Sequence, residues 1–196
     1  MNPQRISVKW YVDKPEAVAP DKVVPVFHRW IQQSVVPGFL IDVADYRHMI
    51  DGPGVMLVGH DVDYALDLSE GRPGMVHTRK RSFPDNLHDA VAGVLHAGLT
   101  ACRCLVQEKQ LGATIDFRTD EIRLVLQDRL HAPNESSSFD QLRDAITDLL
   151  RDVYEGADVA IARETADDRR CLTARITAPG APDQSALIER LTAAVH

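Results

Sequence analysis

The chain has 196 residues, of which 44% are hydrophobic and 26% are charged, and its formal net charge at pH 7 is −7. This composition is typical of a folded globular protein, and it excludes the class of disordered chains with low hydrophobicity and high net charge. An acidic surface repels phosphate backbones, so we expect no binding to nucleic acid, although Arg79, Lys80 and Arg81 form a short basic cluster.

The ends of the chain and its cysteines predict the compartment. The N-terminus MNPQRISVKW lacks the apolar core of a signal peptide, and apolar stretches such as residues 55–58 are much shorter than the roughly 20 residues that span a bilayer. The three cysteines form an odd and sparse set, unlike the disulfide frameworks of secreted domains. We therefore expect a soluble, cytoplasmic protein with reduced thiols and no association with membranes.

The first elements follow from local periodicity. Residues 5–12 alternate between apolar and polar side chains, which is typical of a half-buried strand. After two prolines, residues 21–34 carry apolar side chains at helical spacing and predict a helix. Residues 39–43 have the sequence Phe-Leu-Ile-Asp-Val and predict a buried strand between two turns.

The longest alternation in the chain runs from Met56 to Leu68. It exceeds the usual strand length of roughly 3–10 residues, so we expect a bend, bulge or turn near residues 59–61. A loop then leads into a strand over residues 75–81. In the next segment, residues 84–111 have helical spacing and predict a long central helix, which Gly112 is placed to end.

The last part of the chain predicts a hairpin followed by a helix, twice. The segments are, in chain order, a hairpin of residues 113–118 and 121–129, a helix from Ser138 to Gly156, a hairpin of residues 158–164 and 170–178, and a helix over residues 182–195. Ser138 and Gln141 form a capping box at the start of the first of these helices. The pattern predicts a repeated structural unit, although the two copies share little residue identity.

The fold that we predict is α+β, with a mainly antiparallel sheet, a long central helix and a C-terminal repeated hairpin-helix (ββα) unit. We expect one compact domain over residues 1–196. A boundary near Ser82 is the alternative, and it would divide the chain into a strand-rich part, residues 1–82, and a second part, residues 83–196. The two parts would then form subdomains or contribute to one continuous sheet.

Aspartate, histidine and tyrosine side chains concentrate in residues 42–81, which we consider first for a functional site. His60 lies in an otherwise apolar row, where it is either a hydrogen-bonded core or turn residue or a ligand-binding or catalytic group. Asp61 and Asp63 share a face if their strand is continuous. These two carboxylates then either bind a cation or act as acid and base, or they are solvated charges at a sheet edge.

His77, Arg79 and Arg81 alternate onto one face of their predicted strand. The arginine guanidinium forms paired hydrogen bonds with carboxylates and phosphates, so this face suits a small anionic molecule. The alternative is that these side chains pair with aspartates of neighbouring strands. The sequence contains no Walker A, Gly-x-Gly-x-x-Gly, Gly-x-Ser-x-Gly or His-Glu-x-x-His motif, and it names no cofactor.

Two hypotheses on function remain open. The first is a soluble homo-oligomeric binding or accessory protein, whose helices and sheet edges form an interface. The second is a small-molecule enzyme or a metal-dependent binder, with a small anionic molecule or a divalent cation as the ligand. Its site residues would be His60, Asp61, Asp63, His77 and Arg79. The sequence does not decide between an enzyme and a binding protein.

Overall fold

The computed structural model describes residues 1–111 and 115–195. The described residues form one antiparallel sheet of eight strands in the order β2-β3-β4-β5-β1-β6-β8-β7. The strands are β1 Ile6–Val12, β2 Leu40–Asp45, β3 Val55–Gly59, β4 Val62–Asp67, β5 Gly74–Arg79, β6 Phe117–Leu126, β7 Ala160–Arg163 and β8 Leu172–Thr177. An α+β fold with a mainly antiparallel sheet is therefore confirmed.

The first strand joins the two parts of the sheet. β1 pairs with β5 on one side and with β6 on the other, so that Val8 lies opposite both His77 and Leu124. Residues on both sides of Ser82 therefore contribute strands to the same sheet. All seven residues of β1 are buried, as expected for a central strand.

Within the described ranges, four α-helices pack over one face of the sheet. They are α1 Val23–Gln33, α2 Leu87–Val106, α3 Ser136–Val153 and α4 Gln184–Ala194. α2 crosses β1 and β5 and also contacts α3 and α4, so it is the central helix of this layer. Short 3-10 helices lie at Pro15–Ala17, Pro20–Lys22, Ser69–Gly71 and Lys109–Leu111.

The approach of α2 to the sheet depends on a small residue. A Cβ atom on Gly98 would lie 2.8 Å from Cγ1 of Val8 and 2.9 Å from Nε1 of Trp10. α2 has a mean hydropathy of 1.3 over 18 residues, enough by length and composition to cross a membrane. More than half of that window is buried inside the fold, which is expected of a core helix.

The long alternation from Met56 to Leu68 is divided by a turn, as predicted. β3 ends at Gly59, β4 begins at Val62, and Val58 pairs with Asp63 across the hairpin. Even-numbered residues of β3 therefore share a face with odd-numbered residues of β4. The strand predicted at residues 39–43 is present as β2, but its predicted burial was wrong, because β2 is an edge strand. Ile41 on this strand is 55% exposed, and Phe39 just before it is 72% exposed.

The repeated hairpin-helix unit is not confirmed. Thr119 and Asp120, where the first hairpin was expected to turn, lie inside the continuous strand β6. Pairing with β1 and β8 supplies backbone partners along this strand, and the Asp120 carbonyl accepts a hydrogen bond from the Ala178 N–H group. The second hairpin, β7 with β8, is present. Gly112 and the first two residues of the predicted hairpin lie outside the described residues.

Candidate functional site

The sheet face opposite the helices, called here the open face, is built from alternate residues of the central strands. Ser7 lies opposite Thr78 of β5 and Val125 of β6, and Lys9 lies opposite Val76 and Arg123. Alternate residues of a strand share a face, so Ser7 and Lys9 lie on the open face, while Ile6, Val8 and Trp10 face the helices. The polar row of β1 is thereby placed at the centre of the sheet.

A cavity of about 230 Å³, the open-face cavity, lies over strands β4, β5, β1 and β6. Its middle is apolar and is lined by Met56, Ala65 and Val76, which form one row across β3, β4 and β5. Asp63 and Asp67 lie toward its two ends. These residues are four positions apart on β4, which corresponds to about 13 Å along a strand. The cavity therefore has an apolar centre and two charged ends.

The Asp67 end is closed by a buried ion pair. The Lys9 ammonium Nζ lies 2.5 Å from Oδ2 of Asp67, and Lys9 is only 4% exposed. Asp67 also accepts hydrogen bonds from the backbone N–H and the hydroxyl of Ser69, at 3.1 and 2.8 Å. A Cβ atom on Gly74 would lie 2.9 Å from Cε of Lys9, so the absence of a side chain there lets Lys9 reach across β5. The Asp67 carboxylate is fully engaged.

The Asp63 end is engaged on one side only. Oδ1 of Asp63 accepts hydrogen bonds from Nζ of Lys80 at 2.7 Å and from the N–H group of Gly59 at 3.2 Å. Oδ2 lies 3.7 Å from Nη2 of Arg5, which is too long for a hydrogen bond. Arg5 is oriented by a 2.8 Å hydrogen bond from its Nε to the side chain of Gln127. The second carboxylate oxygen of Asp63 therefore accepts no hydrogen bond from the described residues.

Two hydroxyl groups lie beside this carboxylate. Ser7 and Thr78 are directly opposite each other on β1 and β5, and Thr78 is also opposite Asp63 on β4. Both residues line the cavity, and they are 3% and 6% exposed. Neither hydroxyl forms a hydrogen bond within the part of the chain that the structure describes. A row of three buried polar groups with unused hydrogen-bonding capacity thus lies at one end of the cavity.

His60 and Asp61 lie outside the cavity, in the exposed turn between β3 and β4. Nδ1 of His60 is 3.0 Å from the Asp61 carboxylate, and Nε2 is 2.9 Å from the Arg81 guanidinium. Their side chains are 52% and 39% exposed. His60 is therefore a turn residue after Gly59, which was one of the two alternatives. The turn also separates Asp61 from Asp63, so the two carboxylates do not share a strand face.

His77 and Arg79 face the helices. The ring of His77 packs on Tyr64 with a centroid separation of 4.7 Å, and burial lowers the pKa of His77 to about 3. The imidazole is therefore neutral at physiological pH, and its Nδ1 atom has no hydrogen-bond partner in residues 1–111 and 115–195. The Arg79 guanidinium donates to the backbone carbonyl groups of Arg81 and Ser82. Arg79 is thus used to hold the loop after β5.

Of the five residues predicted from the sequence, Asp63 lines the open-face cavity, and the other four lie elsewhere. Arg5, Ser7, Lys9 and Thr78 were not predicted as site residues. The available signal was the polar row that alternates with the apolar row of the first strand. It looked like a solvated face, because periodicity does not show that the strand is central or that its polar row borders a cavity.

The described residues contain no group of three His, Cys, Asp or Glu side chains that could hold a metal ion. Comparison of the chain with protein-family models, with curated proteins and with solved structures found no match.

Proposed function

We propose that this chain is a binding protein that holds a small molecule in the open-face cavity. The observation that carries the proposal is the row of Ser7, Thr78 and Asp63, three buried side chains whose polar atoms have unused hydrogen-bonding capacity and border the same cavity. These polar atoms are open to the cavity, so water or a ligand can supply their hydrogen-bond partners. A ligand whose groups match them would form several directed hydrogen bonds at once, so the arrangement favours binding.

The same site gives less support to the enzyme hypothesis. General acid and base catalysis needs titratable groups within hydrogen-bonding reach of each other or of the substrate. The cavity lining contains no histidine, and Asp67 is engaged by Lys9 and Ser69. Among the described residues, the cavity lining also contains no cysteine, and burial raises the pKa of the Cys102 and Cys104 thiols on α2. The lining therefore favours a binding protein over an enzyme that uses acid-base or thiol chemistry in this cavity.

A second feature favours self-association. Four large apolar side chains are exposed on β2, just before it and in the loop that follows it: Phe39, Ile41, Met49 and Ile50. Ile50 is 95% exposed and Met49 is 51% exposed. We propose that a second copy of the chain covers this apolar patch, because a two-fold axis beside an edge strand brings the same patch of both copies together. The Asp42 carboxylate accepts a hydrogen bond from the backbone N–H group of Val43, so this N–H group is already used on the edge strand. We therefore propose that the two copies meet through the apolar side chains rather than by pairing of their edge strands.

The binding proposal is tested by native mass spectrometry of the protein as purified, with a variant that fills the cavity. Ala65→Leu places a larger side chain in the apolar middle of the cavity. Ala162→Leu is the matched control, since Ala162 lies on the exposed edge strand β7. We expect a bound mass in the native protein and the control that is lost in Ala65→Leu. Equal ligand occupancy in all three proteins, or none in any, contradicts the proposal.

Self-association is tested by size-exclusion chromatography with light scattering. Ile41→Glu places a charge within the apolar patch and should reduce the dimer to a monomer. Leu130→Glu is the control, because Leu130 is 84% exposed but lies in the loop after β6. This interface is excluded if the native protein remains monomeric at the highest concentration that can be prepared. It is also excluded if Ile41→Glu leaves a dimer intact.

A further inference from the structure

We infer that the ligand of the open-face cavity is a neutral molecule with an amide-type head group and a short apolar body. This inference rests on the proposed binding function and specifies the ligand class. It follows from which groups of the cavity are already paired and which are not.

The formal charges around the cavity are already paired. Lys9 pairs with Asp67 at 2.5 Å, Lys80 pairs with Asp63 at 2.7 Å, and the Arg123 guanidinium pairs with Glu164 at 2.7 Å. Arg5 adds a second positive charge, 3.7 Å from Oδ2 of Asp63, so that end holds two cations and one carboxylate. A cationic ligand would be buried beside Arg5 and Lys80, and an anionic ligand would be buried beside the Asp63 carboxylate, and both outcomes are costly.

The Asp63 end offers both kinds of hydrogen-bonding group. Oδ2 of Asp63 is an acceptor, the Arg5 guanidinium is a donor, and the hydroxyls of Ser7 and Thr78 serve as either. Asp63, Thr78 and Ser7 lie side by side on three adjacent strands, about 5 Å apart. An amide places an N–H donor next to a C=O acceptor. Its N–H group would donate to Asp63, and its oxygen would accept from a hydroxyl or from Arg5.

The rest of the cavity fits an apolar body. Ala65 lies opposite Met56 on β3 and opposite Val76 on β5, so these three apolar side chains form one row beside the polar row. The volume of about 230 Å³ is below the roughly 300–1,000 Å³ of pockets for drug-sized ligands. A head group at the Asp63 end followed by a few carbon atoms therefore matches the shape and the polarity of the site.

The test compares three five-carbon probes that share a butyl group and differ in the terminal carbon and its substituent: pentanamide, pentanoate and pentylamine. Each is titrated into the full-length protein, and chemical-shift changes in two-dimensional NMR spectra give the dissociation constants. We expect pentanamide to bind at least 10-fold more tightly than either charged probe. The shifts should be largest for the amide groups of residues on β1, β4 and β5.

Variants then locate the head group. Thr78→Val keeps the side-chain shape and removes the hydroxyl, and Asp63→Asn removes the charged acceptor. Each should weaken pentanamide binding by at least 5-fold. Asp61→Asn is the matched control, because Asp61 lies two residues away in the exposed turn, and it should leave binding unchanged. Thr78→Val keeps the test decisive if Asp63→Asn fails to fold.

The outcomes separate this inference from the proposed function. Tighter binding of pentanoate or pentylamine than of pentanamide overturns the amide-type ligand, while the binding function stands if Ala65→Leu abolishes that binding. Equal binding of pentanamide to the native protein and to Thr78→Val also overturns the inference. The binding function itself fails if no probe shifts the cavity residues and the purified protein carries no mass that Ala65→Leu removes.

Discussion

Burial of His77 beneath the helix layer makes the stability of this fold depend on pH. The residue is 2% exposed and packs on the ring of Tyr64. Removal from water, reinforced by the nearby Arg79 charge, lowers its pKa to about 3. In the unfolded chain the pKa of histidine is about 6.5. In the pH range between these two values, the imidazole is protonated in the unfolded chain and neutral in the folded protein.

The sign of the effect follows from proton binding. Between about pH 3 and pH 6.5 the unfolded chain binds one more proton at this residue, so the free energy of unfolding rises with pH. The contribution of the neutral histidine is complete above about pH 6.5 and is lost progressively below it. With these two pKa values, acidification from pH 7.5 to pH 5 lowers the free energy of unfolding by about 2 kcal/mol through this residue alone.

Urea denaturation of the native protein and of His77→Phe, each at pH 7.5 and pH 5, measures this contribution. Phenylalanine keeps an aromatic ring against Tyr64 and does not titrate. We expect the native protein to lose about 2 kcal/mol more on acidification than the variant loses. An equal loss in both proteins would refute the reasoning, because the acid sensitivity would then come from other groups.

Four further substitutions test the packing and the charges. Gly98→Ala should destabilise the fold by about 1 kcal/mol, because the clash of the added Cβ with β1 outweighs the gain in helix propensity. Gly93→Ala on the same helix should stabilise the fold, because its added Cβ only touches Arg79. Lys9→Met should cost about 2–4 kcal/mol by leaving the Asp67 carboxylate buried without its cation, as measured by chemical denaturation, and a smaller loss would show that the pair is solvated. His60→Gln should change the free energy of unfolding by less than about 0.5 kcal/mol, because the side chain is exposed, and a larger loss in thermal unfolding would contradict its assignment to the turn.

Elements with a strong local signal could be predicted from the sequence. The alternation of the first strand identified the row that faces the helices, and the helical spacing of residues 84–111 identified the central helix, which is α2. The turn near residues 59–61 was expected because the alternation was too long for one strand. In each case the prediction depends on a single stretch of the sequence, in which the spacing of apolar residues and the length of the pattern are enough to identify the element.

The errors arose where distant pairing decides the structure. Residues 39–43 are as apolar as a buried strand, but β2 occupies the edge of the sheet, and nothing in its own sequence specifies that position. Thr119-Asp120 resembles a turn in isolation, but in β6 the Asp120 carbonyl accepts a hydrogen bond from the Ala178 N–H group and the Thr119 carbonyl accepts one from the Tyr154 hydroxyl. The site is subject to the same limit. Ser7 and Thr78 are 71 positions apart in the sequence and become neighbours only through the pairing of β1 with β5.

The open face carries charged side chains in two regions, and only the region around Asp63 has the features of a binding site. Toward β8, Glu121 accepts hydrogen bonds from Arg72 at 3.0 and 2.8 Å and pairs with Arg175 at 2.6 Å, and Arg72 covers the ring of Tyr11. These charges are held by one another through direct hydrogen bonds and ion pairs. At the Asp63 end the carboxylate is paired with Lys80, but one of its oxygens and two neighbouring hydroxyls form no hydrogen bond within the described residues. Because charged side chains are expected on any open sheet face, the incomplete hydrogen bonding, not the charge, distinguishes the binding site.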